Sequence, residues 1–495
     1  MPSILINRNF ALLWVGRSIS NLGDYVFDTT LVLWIATRLA HGQSWAPLAV
    51  SGVFLAVSIP TFIVGPIAGV FTDRWDKRRT MLTMDAIRAA LILLLALSAI
   101  LPFPLAAGGV LPAGIQLGVI YLVVILATTC ALFFSPSRLA LIGDIVEEPH
   151  RPRASSLIQM SESTSRLVGP AIAAPLFLLF GQQWALIANA LSFGISFLAL
   201  RAVEAPPAAR SVASGETGNV LRELAEGFRF FLGNRVLVTI VVSVMLVMLG
   251  FGALNALNIF FLTRNLHAAT GLYGVLTSAL GFGAVAGAAL AGMLAQRVGI
   301  ARLFWLSMVG MGVLVLAYSR MTVFLPAVAL LFLLGVVNDA TEAVIGPMVL
   351  HVTPRELIGR VSAVMLPAAY LASMLSTSLA GFLDSTVLSG IHARVLGITW
   401  GPVDTIFTMT GILTVAGGVY ALVNLRGFAL ATTGESLTPT ESAIEVESAA
   451  RQCSFCRRNH GGVRRMVVGV RGMNICSDCI DRCNLLIAEE ETRLA

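Results

Sequence analysis

Long apolar runs separated by short polar breaks fill most of the chain. They fall near 10–38, 47–71, 80–101, 115–135, 155–180, 183–201, 236–262, 270–296, 302–319, 322–349, 361–384 and 402–426. A helix of about 20 apolar residues crosses the hydrocarbon core of a bilayer, so the pattern predicts twelve transmembrane helices. A longer polar break at 202–235 divides them six and six. From Val220 that break turns amphipathic, with Leu221, Leu224, Phe228 and Phe231 at helical spacing among charged residues. This predicts a surface helix joining the halves. The expected organisation is a six-helix bundle over 1–201, a cytoplasmic linker over 202–235, a second bundle over 236–430, a flexible linker over 431–450 and a small domain over 451–495.

Composition agrees with that class. The 495 residues are 57% hydrophobic and 12% charged, with a mean hydropathy of +0.84. Soluble domains carry about twice that charged share. The net charge of +6 is built almost wholly from arginine, with Lys77 the sole lysine. Its placement sets topology: Arg74, Lys77, Arg78, Arg79, Arg151, Arg153, Arg297, Arg302, Arg355 and Arg360 fall in alternate loops. Basic loops stay on the cytoplasmic side during insertion, which puts both termini in the cytoplasm of a multi-pass inner-membrane protein. The charge therefore calls for no nucleic acid. Asn7 to Phe10 leads straight into the first run, so no cleavable signal peptide is expected.

Acids inside the runs are the candidates for work. Asp24 and Asp28 lie at i and i+4 in the first run, on one helix face. A carboxylate at membrane depth is costly and faces a cavity or a partner. Two readings stand: proton or cation coupling, with Asp24 the first candidate, or pairing with Arg17 or an arginine of another helix. Asp339 and Glu342, at i and i+3 in the tenth run, form a second acidic pair expected to face inward. Glu162 and Arg166 have the acid-first i, i+4 spacing of a helix ion pair. Asp85 and Arg88 are expected to brace the basic loop beneath them. Small residues in Gly65-Pro66-x-x-Gly69, Gly169-Pro170 and Gly283-x3-Gly287 mark close helix contacts.

The loop after the second run carries Gly69, Asp73, Arg74, Lys77, Arg78 and Arg79. This string resembles the loop signature of the major facilitator superfamily of secondary transporters, with Asp76 where that signature usually has glycine. Weak echoes link the halves: Gly69-x3-Asp73-Arg74 with Gly292-x3-Gln296-Arg297, and Pro136 with Pro347. Phe10–Asp24, Phe133–Val146 and Pro354–Val361 are similar to the branch that holds macrolide efflux proteins and the enterobactin exporter. The resemblance covers about 1–430. It implies proton-coupled export of a hydrophobic small molecule by alternating access. The competing reading is a membrane-anchored sensor or docking protein that no longer transports. No nucleotide-binding loop, nucleophile constellation or catalytic metal motif is visible, so an enzyme is not expected.

Five of the six cysteines crowd between Cys453 and Cys483. Cys453-x2-Cys456 and Cys476-x2-Cys479 have the spacing of a tetrahedral zinc site. The segment Val463–Val468 reads as a β-ribbon. The string resembles the zinc-binding amino-terminal domain of the Clp protease ATPase subunit. That resemblance implies these four cysteines as ligands of one structural Zn2+, and a module for homodimerisation or for docking a protein partner.

Overall fold

The computed structural model describes residues 6–72, 75–100, 112–204, 229, 231–354, 357–390, 393–395, 398–425, 453–456, 466–468 and 474–483. The chain forms two compact units, Met1–Ala429 and Leu430–Ala495. In the first unit the helices are α1 (Arg8–Trp34), α2 (Ala46–Ile63), α3 (Gly65–Thr72), α4 (Lys77–Ile100), α5 (Ala113–Ile145), α6 (Arg151–Phe180) and α7 (Gln182–Arg201). They continue as α8 (Arg235–Arg264), α9 (Tyr273–Val298), α10 (Ile300–Tyr318), α11 (Phe324–Val352), α12 (Ile358–Phe382) and α13 (Pro402–Leu425). Ten of the described helices are long and apolar enough to cross a membrane. The helices α1 and α12, of 27 and 25 residues, are long enough to cross as well and pack within the same bundles. With α2 and α3 forming one broken span, the result is twelve transmembrane helices in two six-helix bundles.

Local chemistry fixes the boundaries. Asn7 caps α1 by accepting the Phe10 N–H at 2.7 Å, and Asn234 caps α8 through the Val236 and Leu237 N–H groups. The break at Val64 falls between Pro60 and Pro66, residues that donate no backbone hydrogen bond and crowd the preceding turn. Single glycines reverse the chain between α6 and α7 and between α9 and α10. Gly181 at φ +87° and Gly299 at φ +90° hold the left-handed conformation that other residues reach only with strain. Between α12 and α13 the strands β1 (Ala393–Val395) and β2 (Ile398–Trp400) pair antiparallel, a hairpin the hydrophobic pattern did not announce. The expected surface helix lies mostly outside the described residues, with 231–233 helical and Phe231 buried.

Within the bundles α1 packs on α6 and α7, α4 on α5 and α7, α9 on α11, and α8 on α12 and α13. The tightest crossing is α9 on α11. A Cβ on Gly283 would lie 1.9 Å from the Phe332 carbonyl oxygen, and one on Gly335 2.1 Å from that of Leu280. The Gly283-x3-Gly287 face therefore works as expected, bringing backbones together where lipid supplies no hydrophobic drive. Gly65 does not: its nearest neighbour would be Leu132 Cδ2 at 4.0 Å, and Gly292 meets nothing.

That contrast defines the conformation. At the end opposite the basic loops the bundles touch along α6–α9 and α2–α12. Ser278 Oγ donates to the Leu167 carbonyl at 2.7 Å, and the Leu48 N–H donates to Ser385 Oγ at 3.1 Å. A Cβ on Gly274 would lie 2.2 Å from the Pro170 carbonyl oxygen, and one on Gly381 2.1 Å from Ser51 Oγ. At the other end Gly292 and Gly346 have no neighbour within 4 Å. Among the described residues, the hydrogen bonds and close glycine contacts between the bundles lie at the end away from the basic loops. Replacing Gly274 with leucine should wedge the closed end open. An impermeant thiol reagent on that side should then label an Asn255→Cys reporter several-fold faster than in the parent; unchanged labelling would show that the contact does not hold the closure.

Candidate functional site

Arg17, Asp24 and Asp85 meet around Arg88. Its Nη2 donates to both Asp24 oxygens at 3.0 Å, while Arg17 Nη1 stands 3.6 Å from Asp24. The Arg88 guanidinium lies 4.0 Å from the Phe193 ring centroid, a cation–π seat. Asp85, whose side chain is fully buried, accepts from Ser196 Oγ at 2.6 Å, and its other oxygen stands 3.9 Å from Arg88 Nη1. Glycines allow this crowding, since a Cβ on Gly23 would lie 2.4 Å from Ser192 Oγ and one on Gly16 3.0 Å from Ala199 Cβ. The helix α1 therefore sits hard against α7 beside Asp24. Removing one partner of such a buried pair leaves an uncompensated charge, at a cost of about 3–5 kcal/mol.

Several expectations change here. Asp24 takes the pairing option, with Arg17 and with an arginine of another helix. Arg88 and Asp85 do not brace the loop: Arg88 reaches inward across α1, and Asp85 turns to α7. Glu162 pairs with Arg138 of α5 at 3.1 Å and not with Arg166. Tertiary packing offered Glu162 a better-desolvated partner than its own helix did. Arg138, within the Phe133–Val146 string, was overlooked as an ion-pair partner. A lone arginine in an apolar run is the signal that would have found it.

Between the bundles lies a cavity of about 280 Å³, walled by α1, α2, α6, α8, α9 and α11. Apolar and aromatic residues dominate it, including Phe54, Phe251 and Leu254, with Tyr25, Asn258 and Tyr273 adding polar tips. Asp28 faces this space, exposed to it, and among the described residues no donor lies within hydrogen-bonding or ion-pair reach. Across the cavity Arg166 Nε donates to Tyr25 Oη at 3.4 Å. Gly169 lets α6 approach there, for a Cβ on it would lie 2.4 Å from Tyr25 Cβ. Asp339 is half-buried and accepts from Asn338 Nδ2 at 3.2 Å. Glu342 is exposed; both acids lie within electrostatic range of Arg166, and neither lines the cavity.

In the signature loop, Asp73 and Arg74 lie outside the described residues, as does the side-chain environment of Gly69. The remaining residues stitch helix ends. Lys77 bonds Asp144 at the end of α5 at 2.8 Å. Arg78 donates to the last carbonyls of α7, Leu200 at 3.2 Å and Arg201, where a cation complements the helix dipole. Asp76 accepts the Arg79 N–H at 2.7 Å and so caps α4. The departure from glycine at that position has a structural use. Arg79 is exposed.

In the second unit, β3 (Met466–Val468) pairs antiparallel with β4 (Asn474–Cys476), followed by a helical stretch over 477–483. The strand β3 falls within the expected ribbon segment Val463–Val468, whose first three residues lie outside the described ones, and its partner β4 lies beyond that segment. The sulfurs of Cys453, Cys456, Cys476 and Cys479 lie within 4.8 Å of one another. Cys453 and Cys479 are 3.8 Å apart and Cys456 and Cys476 3.6 Å. Four thiolates about 2.3 Å from a central zinc would be about 3.8 Å apart, so the donor set fits a tetrahedral ion. Backbone N–H groups of Cys456 and Cys476 draw the Cys453 thiol down to about 6, towards the ligating thiolate. A hydrogen bond with the Cys476 side chain, followed by desolvation, pushes the Cys479 thiol up to about 12. A central dication reverses that cost.

Comparison with known proteins follows the same division. The profile of the transmembrane secretion effector family matches residues 3–425, and that of the ClpX C4-type zinc finger matches 451–489. The chain belongs to the transmembrane secretion effector family. It is 26% identical over 405 residues to the MFS-type transporter YkuC of Bacillus subtilis, covering 80% of this chain and 90% of the relative. To the multidrug efflux pump Tap of Mycobacterium tuberculosis it is 26% identical over 377 residues, 74% and 84% of the two chains. To macrolide efflux protein A of Streptococcus pyogenes it is 22% identical over 253 residues, 50% and 57%. Among solved structures, the nucleoside transporter NupG superposes with a TM-score of 0.63 at 11% identity, over 84% of this chain and 99% of that one. The chain is thus a multi-pass major facilitator transporter with a carboxyl-terminal zinc module. Purified protein should carry about one zinc per chain by elemental analysis. Cys476→Ser should abolish retention and Cys483→Ser preserve it; a Cys476→Ser protein that keeps full zinc would overturn the ligand set.

Proposed function

We propose that the chain is a proton-coupled exporter of a hydrophobic small molecule, with Asp28 as the carboxylate that couples the two fluxes. The observation that carries this reading is Asp28 itself, an acid without a partner on the wall of a largely apolar cavity between the bundles. In the first bundle Arg17, Arg88 and Arg138 are matched by Asp24, Asp85 and Glu162. Asp28 has no ion-pair partner among the described residues, and Arg166 lines the same cavity. An unpaired carboxylate in a closed cavity costs several kcal/mol, so the cavity passes through its closed state at lowest cost with Asp28 protonated. Asp24 moves from first candidate to structural partner, and Asp339 and Glu342 remain a secondary site beside Arg166.

The cycle then follows from geometry. By the distribution of basic loops, the open end and both termini face the cytoplasm, as expected for an inner-membrane protein. An amphipathic molecule enters there, packs on Phe54, Phe251 and Leu254, and favours loss of the Asp28 proton to the cytoplasm. The closed α6–α9 and α2–α12 contacts separate on the outward transition, the cargo leaves, and Asp28 takes a proton from outside. Efflux is the named activity of Tap and of macrolide efflux protein A, and it is the direction inferred here. The zinc module over 451–495, carried on a linker at 431–450, serves as a dimerisation or docking device.

The test is uncoupler-sensitive efflux from cells expressing the chain, read on a panel of fluorescent hydrophobic compounds and macrolides. Asp28→Asn should abolish the uncoupler-sensitive component while compound binding to purified protein persists. A variant that exports as the parent does would remove Asp28 from the coupling role.

A further inference from the structure

Arg88 is held by Asp24 but is not satisfied by it. Only Nη2 is engaged; Nε and Nη1 are buried with no hydrogen-bond partner. Facing Nη1 at 3.9 Å is Asp85 Oδ1, itself buried with no hydrogen-bond partner. A buried donor and a buried acceptor of opposite charge therefore confront each other about 1 Å beyond hydrogen-bond range, each carrying an unpaid desolvation cost. The two carboxylates differ in access. The Asp24 side chain is 28% exposed and that of Asp85 is 0% exposed. Phe193 supplies a flat seat under the guanidinium, which permits sliding without loss of the cation–π contact.

We propose that Arg88 is a two-position switch arm: when a proton neutralises Asp24, the guanidinium hands over to Asp85, a positioning residue whose task is to receive it. The transfer breaks the α1–α4 tie and replaces it with one inside α4, since Arg88 and Asp85 stand on the same helix at i and i+3. Released from α4, α1 is free to turn against α7, and Asp28 rides on α1 one turn beyond Asp24. The groups that face the switch are Arg17 from α1, Ser196 from α7 and, farther off, Arg138 from α5. Arg17 stays on α1 as the counter-charge beside Asp24, 3.6 Å away. This inference rests on the proposed proton coupling for its purpose, but its structural content is independent of it.

The test is a stability cycle on purified full-length protein, read as thermal unfolding, with Asp24→Asn standing for the protonated state. Alone, Asp85→Asn should cost less than Asp24→Asn, because Arg88 keeps its hydrogen bonds to Asp24. In the Asp24→Asn background the same change strands Arg88 without any carboxylate, so the double variant should lose more than the sum of the single losses. Additive losses would mean that Arg88 does not move, and would overturn the proposal. Should the double variant fail to fold, the structure of Asp24→Asn alone decides: Arg88 Nη1 within hydrogen-bond range of Asp85 supports the hand-over, and the parent spacing refutes it. In efflux, Asp85→Asn should lower the uncoupler-sensitive rate about tenfold and Asp85→Glu restore much of it. Loss of Asp28 dependence in transport would sink the coupling reading and leave the stability cycle standing.

Discussion

A guanidinium buried between two carboxylates governs the first bundle. Arg88 cannot leave the network without stranding a charge, so α1, α4 and α7 are assembled around it. Gly16 and Gly23 lie on α1 where close approach is needed, and Ser196 and Phe193 supply the hydrogen bond and the aromatic seat on α7. The second bundle is built otherwise. Its tightest crossing, α9 on α11, is backbone against backbone through Gly283, Gly287 and Gly335. Its buried aromatic cluster joins Phe261, Tyr318 and Phe407, with Tyr318 Oη donating to Asn258 Oδ1 at 2.6 Å. The first half gathers its charge in a network inside the bundle, whereas the second relies more on packing, with Arg264 paired to the buried Asp384 at 2.9 Å. The functional cavity lies where the two meet.

This division bears on Asp28, the acid on the cavity wall that has no hydrogen-bond or ion-pair partner among the described residues. Where arginine and carboxylate are matched, protonation is opposed by a nearby positive charge. Asp28 has no ion-pair partner among the described residues and faces the cavity between the bundles, which on the proposed reading is where a proton is exchanged for cargo. The asymmetric glycine contacts supply the alternation. They seal the end away from the basic loops and leave the other end parted, with small faces on α3 and α9 that other conformations can bring together.

Much of this architecture was legible in the sequence. Twelve apolar runs, the six-and-six division and the alternation of basic loops follow from hydropathy and charge alone, and the C-x2-C pairs foretold the thiol cluster. The site was legible only in outline. Asp24 and Asp28 were visible as acids at membrane depth, but their sorting into bound and free depends on Arg88, sixty residues away in sequence and adjacent only after folding. Glu162 and Arg166 had the spacing of a local pair, yet desolvated partners from other helices, Arg138 and Tyr25, were stronger competitors. The Asp76 departure from the family loop made sense only as a helix cap. Pairing across helices is a tertiary choice, and periodicity does not encode it.

The measurement that tests the account most directly is proton movement itself. The purified chain is reconstituted into liposomes containing a pH-sensitive dye, and a gradient of a transported compound from the efflux panel is imposed at equal starting pH. The account predicts a change in lumenal pH opposite in direction to the compound, present in the parent and absent in Asp28→Asn. Movement of the compound with no accompanying pH change would contradict it.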